Sequence, residues 1–194
     1  MARVILLLSA ALFALVAFAQ TDRLVIAQGV DATTMDPQDH RETPTANVVK
    51  QIYDPLMRYD AQARLQPWLA TDVRAVNPTT WEITIREGVK FHDGTPFTVE
   101  DVKFNFDRVG AGSTLRHAPL WRQVDRTEIV DQRRVRVITK APFPVFLNQL
   151  PDLEMVSKAY FDRVGRDRAS TNPIGTGPYR FVRWLRDEFD PRSR

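Results

Sequence analysis

Trp81-Glu82-Ile83-Thr84-Ile85-Arg86-Glu87-Gly88-Val89-Lys90-Phe91-His92-Asp93-Gly94-Thr95-Pro96-Phe97-Thr98-Val99-Glu100-Asp101-Val102-Lys103-Phe104 changes its apolar period from two to three-or-four within one stretch. Trp81, Ile83 and Ile85 alternate with Glu82, Thr84 and Arg86, which predicts a strand with one apolar and one solvated face. Glu87-Gly88 is a turn, Val89 and Phe91 resume the alternation, and Asp93-Gly94 with Pro96 closes the segment. Thr98 with Asp101 three residues on has the form of a capping box. The helix it opens is expected over Val99 to Val109, with Val102, Phe106 and Val109 buried and Gly110 ending it as a left-handed residue. The unit reads as strand, turn, helix.

Working outward, Leu24 to Ala27 is a short apolar strand candidate followed by loop formers from Gly29 to Pro37. Thr45 to Tyr53 reads as a helix capped by Thr45, with Val48, Val49, Ile52 and Tyr53 on one stripe and Asp54-Pro55 ending it. Thr127 to Val130 and Arg134 to Thr139 predict two strands around an Asp131-Gln132 turn. A short helix is expected from Val145. Another, Lys158 to Val164, is capped by Ser157 and stopped by Gly165. Tyr179 to Trp184 predicts a last strand. The class is mixed α/β without a strict βαβ repeat.

The 194 residues are 43% apolar and 26% charged, enough for a buried core. There are no cysteines, which excludes disulfides and thiolate metal sites. Lys+Arg 27 against Asp+Glu 24 leaves +3, too small an excess to argue for nucleic acid. Met1-Ala2-Arg3, the run Val4 to Ala19 broken only by Ser9, and Ala17-Phe18-Ala19 before Gln20 form the three parts of an export signal, so residues 1–19 are expected to be cleaved. The run is shorter than the roughly 20 residues that span a bilayer. No stable membrane span is expected after cleavage.

Reactive motifs are missing. His40, His92 and His117 show no metal-ligand spacing and read as exposed or turn histidines, so no metal and no cofactor is expected. Gly-x-Ser-x-Gly is absent. Gly175-Thr176-Gly177 is followed by Pro178, which lacks the N–H a phosphate cradle would use, and reads as a tight turn. Trp68, Trp81, Trp121 and Trp184 are expected in the core rather than on a ligand. Arg133-Arg134 reads as a solvated face.

Gln51-Ile52-Tyr53-Asp54-Pro55-Leu56, Leu69-Ala70-Thr71, the stretch from Trp81 to Phe104, and Asn172-Pro173-Ile174-Gly175-Thr176-Gly177-Pro178-Tyr179-Arg180-Phe181 together resemble the family 5 extracellular solute-binding proteins of bacterial ABC importers. The resemblance implies a periplasmic binding protein-like α/β fold of the cluster C type. It also implies a receptor that captures a small, peptide-like solute between two lobes and delivers it to the permease subunits in the membrane. On the family's plan, residues 20–45 and 172–184 belong to domain I and 46–171 to the small domain II, so lobe I alone is expected here. Residues 185–194 leave the pattern as a charged tail, which reads as truncation before the second lobe. In peptide-binding members the opposing lobe supplies an acid for the ligand's ammonium group, so this chain alone is expected to bind weakly or not at all.

Carried onto this sequence, the loop Ala32-Thr33-Thr34-Met35 matches the cleft-lining loop after the first strand, making Thr33, Thr34 and Met35 candidate ligand-binding residues. The same loop reads equally as an ordinary turn with Asp36-Pro37. Arg116 and His117 lie in a domain II loop that approaches the ligand in the family, against the alternative of a solvent-exposed loop. A different class, an exported interaction or chaperone-like module or a non-functional remnant, stays open at this point.

Overall fold

The first helix among the described residues, α1 (Thr43–Ile52), starts two residues ahead of the expected cap. Pro44 sits in the first turn, where its missing N–H costs nothing, so the helix starts earlier than Thr45. Thr45 instead lies inside the helix, buried, with its hydroxyl oxygen accepting from Thr33 N–H at 2.9 Å. The computed structural model describes residues 24–110 and 112–185. The expected signal at 1–19 and the charged tail beyond Leu185 lie outside the described residues.

A small hairpin, β1 (Met57–Tyr59) and β2 (Leu65–Pro67), leads into a four-stranded antiparallel sheet. Its strands are β3 (Ala70–Asn77), β4 (Thr80–Ile85), β5 (Val124–Ile129) and β6 (Arg134–Thr139), in the order β3-β4-β6-β5. The alternation in β4 places Ile83 and Ile85 in the core as expected. Glu82 faces the other way yet is only 2% exposed. In the register it lies opposite Arg74 on one side and Arg136 on the other, and both guanidinium groups close over its carboxylate at 2.6 and 2.9 Å. The polar face of the strand is therefore lidded by arginine stems rather than open to water.

The helix α2 (Val99–Val109) has the expected bounds and packs on β5 and β6. Asp101 closes its capping box by accepting from Thr98 N–H at 2.8 Å. Gly110 is not left-handed, its φ being −71°, so the helix ends without the expected glycine cap. Phe106 of α2 meets Trp121 at 5.4 Å and Phe146 at 6.0 Å between ring centroids, and Trp81 stacks on Phe146 at 4.9 Å. Trp121 comes from the short α3 (Ala118–Trp121) and Phe146 from the short α4 (Phe146–Gln149). These rings centre the larger core.

After the tight turn Leu150–Asp152, α5 (Lys158–Val164) is capped by the Ser157 hydroxyl, which accepts from Tyr160 N–H, and ends at Gly165 with φ +76°. The short α6 (Arg166–Ala169) follows. A second, smaller core joins Ala32 and Met35 to Val49, Ile52, Tyr53 and Val156. Neither Leu24–Ala27 nor Tyr179–Trp184 forms a strand, contrary to expectation. Leu24 is 71% and Val182 88% exposed, and no ladder partner is present for either segment among the described residues. Among those residues no helix is long and apolar enough to cross a membrane.

Candidate functional site

Buried polar groups weld the loop around Asp36 to α2. Arg108 donates to both carboxylate oxygens of Asp36 and, at 2.9 Å, to Gln38 Oε1. Gln38 Nε2 donates to Asn105 Oδ1 and to the backbone oxygen of Glu154 at 3.1 Å. Asn105 in turn bonds Val156 through both its N–H and its carbonyl. The loop is thus fixed by side chains from distant parts of the sequence, as a preformed site requires.

On this support, two of the expected regions converge on Glu42, which sequence reasoning did not single out. Thr33 Oγ1 donates to Glu42 Oε1, and Arg116 Nη1 lies 3.6 Å from Glu42 Oε2. The Thr33 hydroxyl, with the Arg41 N–H, holds the Glu42 carboxyl down to about 2. His117, expected in an exposed or approaching loop, is buried, with its ring centroid 5.1 Å from that of His40. His40 is neither exposed nor in a turn, contrary to expectation, whereas His117 lies in a turn although it is buried. Burial pushes His117 down to about 4, with His40 adding to the effect, and burial also lowers His40. Both rings are therefore neutral at pH 7.

Thr34 and Met35 point elsewhere. The Thr34 hydroxyl accepts from Asp36 N–H at 3.0 Å, closing a local turn. Met35 has its side chain in the smaller core and donates its N–H to Ser170 O at 2.9 Å. Of the five candidates, Thr33, Arg116 and His117 gather around Glu42 and His40, while Thr34 and Met35 serve the joint.

A cavity of about 240 Å³ opens there, with His40, Arg41, Glu42, Lys50, His117 and Glu154 in its wall. A larger one, about 700 Å³, shares Lys50, Asp152 and Glu154 and extends to Arg58, Trp68 and Thr176. Asp54 anchors that far end by accepting from Trp68 Nε1 at 2.7 Å and Thr176 Oγ1 at 2.8 Å. Arg58 lies over the Trp68 ring at 3.2 Å. Trp68 therefore borders a cavity as well as the core. Lys50 donates to Asp152 at 2.9 Å and stands 4.0 Å from Glu154 Oε1. Glu154 has a faint sequence signal, a single acid inside Leu153-Glu154-Met155-Val156. Among the described residues no group of three or more acids and histidines is arranged to hold a metal.

The Gly175-Thr176-Gly177 turn rests on the end of α1, with Gly177 N–H donating to Ile52 O at 2.9 Å and Tyr179 N–H to Gln51 O at 3.1 Å. A Cβ on Gly175 would lie 2.0 Å from Ile52 O, which is why the position needs glycine. His92 locks the turn, its Nδ1 accepting from Gly175 N–H and its Nε2 donating to Gly177 O at 2.8 Å.

Residues 64–189 match the model of the bacterial extracellular solute-binding proteins, family 5 Middle. The glutathione-binding protein GsiB of Escherichia coli K12 is 35% identical over 186 residues, covering 94% of this chain and 36% of that protein. The periplasmic binding protein DppA of Helicobacter pylori, solved with the peptide STSA, superposes with a TM-score of 0.73 at 25% identity, over 82% of this chain and 36% of that one. NikZ of Campylobacter jejuni, solved with Ni(L-His), gives a TM-score of 0.70 at 25% identity, over 81% and 32%. The chain thus spans about a third of the length of these relatives.

Proposed function

The chain belongs to the family 5 bacterial extracellular solute-binding proteins and has their periplasmic binding protein fold, and from that premise we propose that it forms one wall of a solute receptor serving an ABC importer. The proposed ligand is a small, peptide-like solute, held in the periplasm and passed to the permease subunits. Residues 20–45 and 172–184 are proposed as parts of domain I and 46–171 as domain II, with residues 1–19 as the export signal. Thr33, Arg116 and His117 are the proposed ligand-facing residues. No reaction is proposed.

The observation that supports this reading is the preformed trough walled by His40, Glu42 and His117 from distant sequence, with Thr33 and Arg116 engaging the Glu42 carboxylate. Its polar groups are fixed before any ligand arrives, which reduces the ordering cost of binding. The test is an NMR titration of the chain with a panel of short peptides, glutathione included, because amide shifts register even millimolar contacts. Shifts confined to the residues lining the trough support the reading. No shifts with any panel member, or chemical turnover of one, overturn it.

A further inference from the structure

We propose that the His40–His117 pair is a clasp released by acid, which closes one wall of the trough while both rings are neutral and lets it open when either ring takes up a proton. His40 belongs to the loop 36–42 and His117 to the loop that leads into α3, so their ring contact at 5.1 Å joins two distant segments. Two N–H bonds cross the same joint, His117 N–H donating to Gln38 O and Arg116 N–H to Asp39 Oδ1, each at 3.1 Å. His40 is 4% and His117 7% exposed, yet Nδ1 of both rings and Nε2 of His40 have no hydrogen-bond partner. Apolar side chains would make this contact without that cost. What they would lack is a proton-binding site.

A proton added to either ring meets only carboxyl groups that are already engaged. In the loop 36–42, Asp36 is held by Arg108 of α2, Asp39 by Arg166 of α6 and the Arg116 N–H, and Glu42 by Thr33, Thr45 and Arg116. Asp152 is taken by Lys50 of α1. Glu154 stands 4.0 Å from the same ammonium, and burial raises its carboxyl to about 7, so it is itself protonated in acid. Arg41 and Lys50 add positive charge to the wall. An imidazolium there is desolvated and repelled, whereas opening returns it to water, where its ordinary value of 6.5 applies. Between that value and about 4, to which burial pushes His117 in the clasped form, each pH unit of acidification favours the open form about tenfold. Opening also parts Arg116 from Glu42 and takes His117 out of the cavity wall. A solute that needs this wall binds the clasped form and is released more readily in acid; this last step rests on the receptor reading above.

The experiment follows amide hydrogen exchange of the chain by NMR from pH 7.5 to pH 4.5, corrected for the intrinsic pH dependence of exchange. The His117 N–H, bonded across the joint to Gln38 O, should lose protection about tenfold per pH unit below 6.5. At every pH it should exchange faster than the amides of β6, because local opening precedes global unfolding. Protection equal to that of β6, or independent of pH, overturns the clasp. The double variant His40→Gln, His117→Gln should show no such slope. Should it fail to fold by circular dichroism, the ring Cε1–H shifts of the parent decide, since a His117 ring that titrates at 6.5 or above overturns the proposal. Saturating glutathione, or another short peptide that shifts the trough amides, should raise the protection of His117 N–H at pH 5. If such a peptide leaves that protection unchanged, the clasp does not govern the trough and the receptor reading stands. If no peptide shifts the trough amides, the receptor reading falls and the exchange slopes alone decide the clasp.

Discussion

Arg108 holds Asp36 through both terminal nitrogens across 72 residues of sequence, with side-chain exposures of 9% and 1%. The same guanidinium lies 4.4 Å over the Phe161 ring, so α2, the Asp36 loop and α5 meet at one charge. A pair this deep is no guarantee of net stability over an apolar replacement, but breaking it leaves an uncompensated buried carboxylate.

Arg108→Ala is therefore expected to cost about 3–5 kcal/mol in urea denaturation. Arg108→Lys should restore less than half of that, because a single ammonium cannot span both Asp36 oxygens and Gln38 at once.

Gly175→Ala should destabilise by about 1–3 kcal/mol, since the added carbon meets the backbone of Ile52 rather than a side chain that could move aside. Gly29→Ala is the control. Nothing lies within 4 Å of its Cβ position and its φ is not left-handed, so its melting temperature should match the parent's.

The pH dependence of stability follows from two shifts of opposite sign. Glu154 is raised from 4.5 to about 7, so the folded state keeps a proton that the unfolded state has lost, and stability falls as pH rises between those values. His117 is lowered from 6.5 to about 4, so the unfolded state binds its proton first, and stability falls as pH drops through that window. Between pH 4.5 and 6.5 the two slopes oppose each other, each worth roughly 3 kcal/mol in full. Glu154→Gln should unmask stability that rises with pH in this range, and His117→Gln stability that falls. Urea midpoints measured at half-unit intervals check both signs.

Thr176→Val removes one of the two donors on Asp54 and leaves the other, the Trp68 indole. The expected loss is about 1 kcal/mol, read from the urea midpoint.

Local signals in the sequence located α2, β6 and α5 with their bounds, because each carries its own punctuation: a capping box, a strict alternation, a serine cap with a closing glycine. The segments Leu24–Ala27 and Tyr179–Trp184 have strand-like composition but no paired neighbour among the described residues, and periodicity does not supply one. The burial of Glu82 was illegible for a related reason, since it depends on arginines from two adjoining strands. The site divides in the same way. Thr33, Arg116 and His117 could be named from a family pattern, whereas the meeting of His40 with His117 and the isolation of Glu154 arise from tertiary contacts alone.

The glycine turn seated on the last carbonyls of α1 places the exit of the chain against its entrance. Everything between residues 53 and 174 is consequently an excursion whose two ends are fastened together at its base. Insertions or deletions on its periphery, away from this base and from the Asp36–Arg108 joint, are expected to leave that fastening untouched.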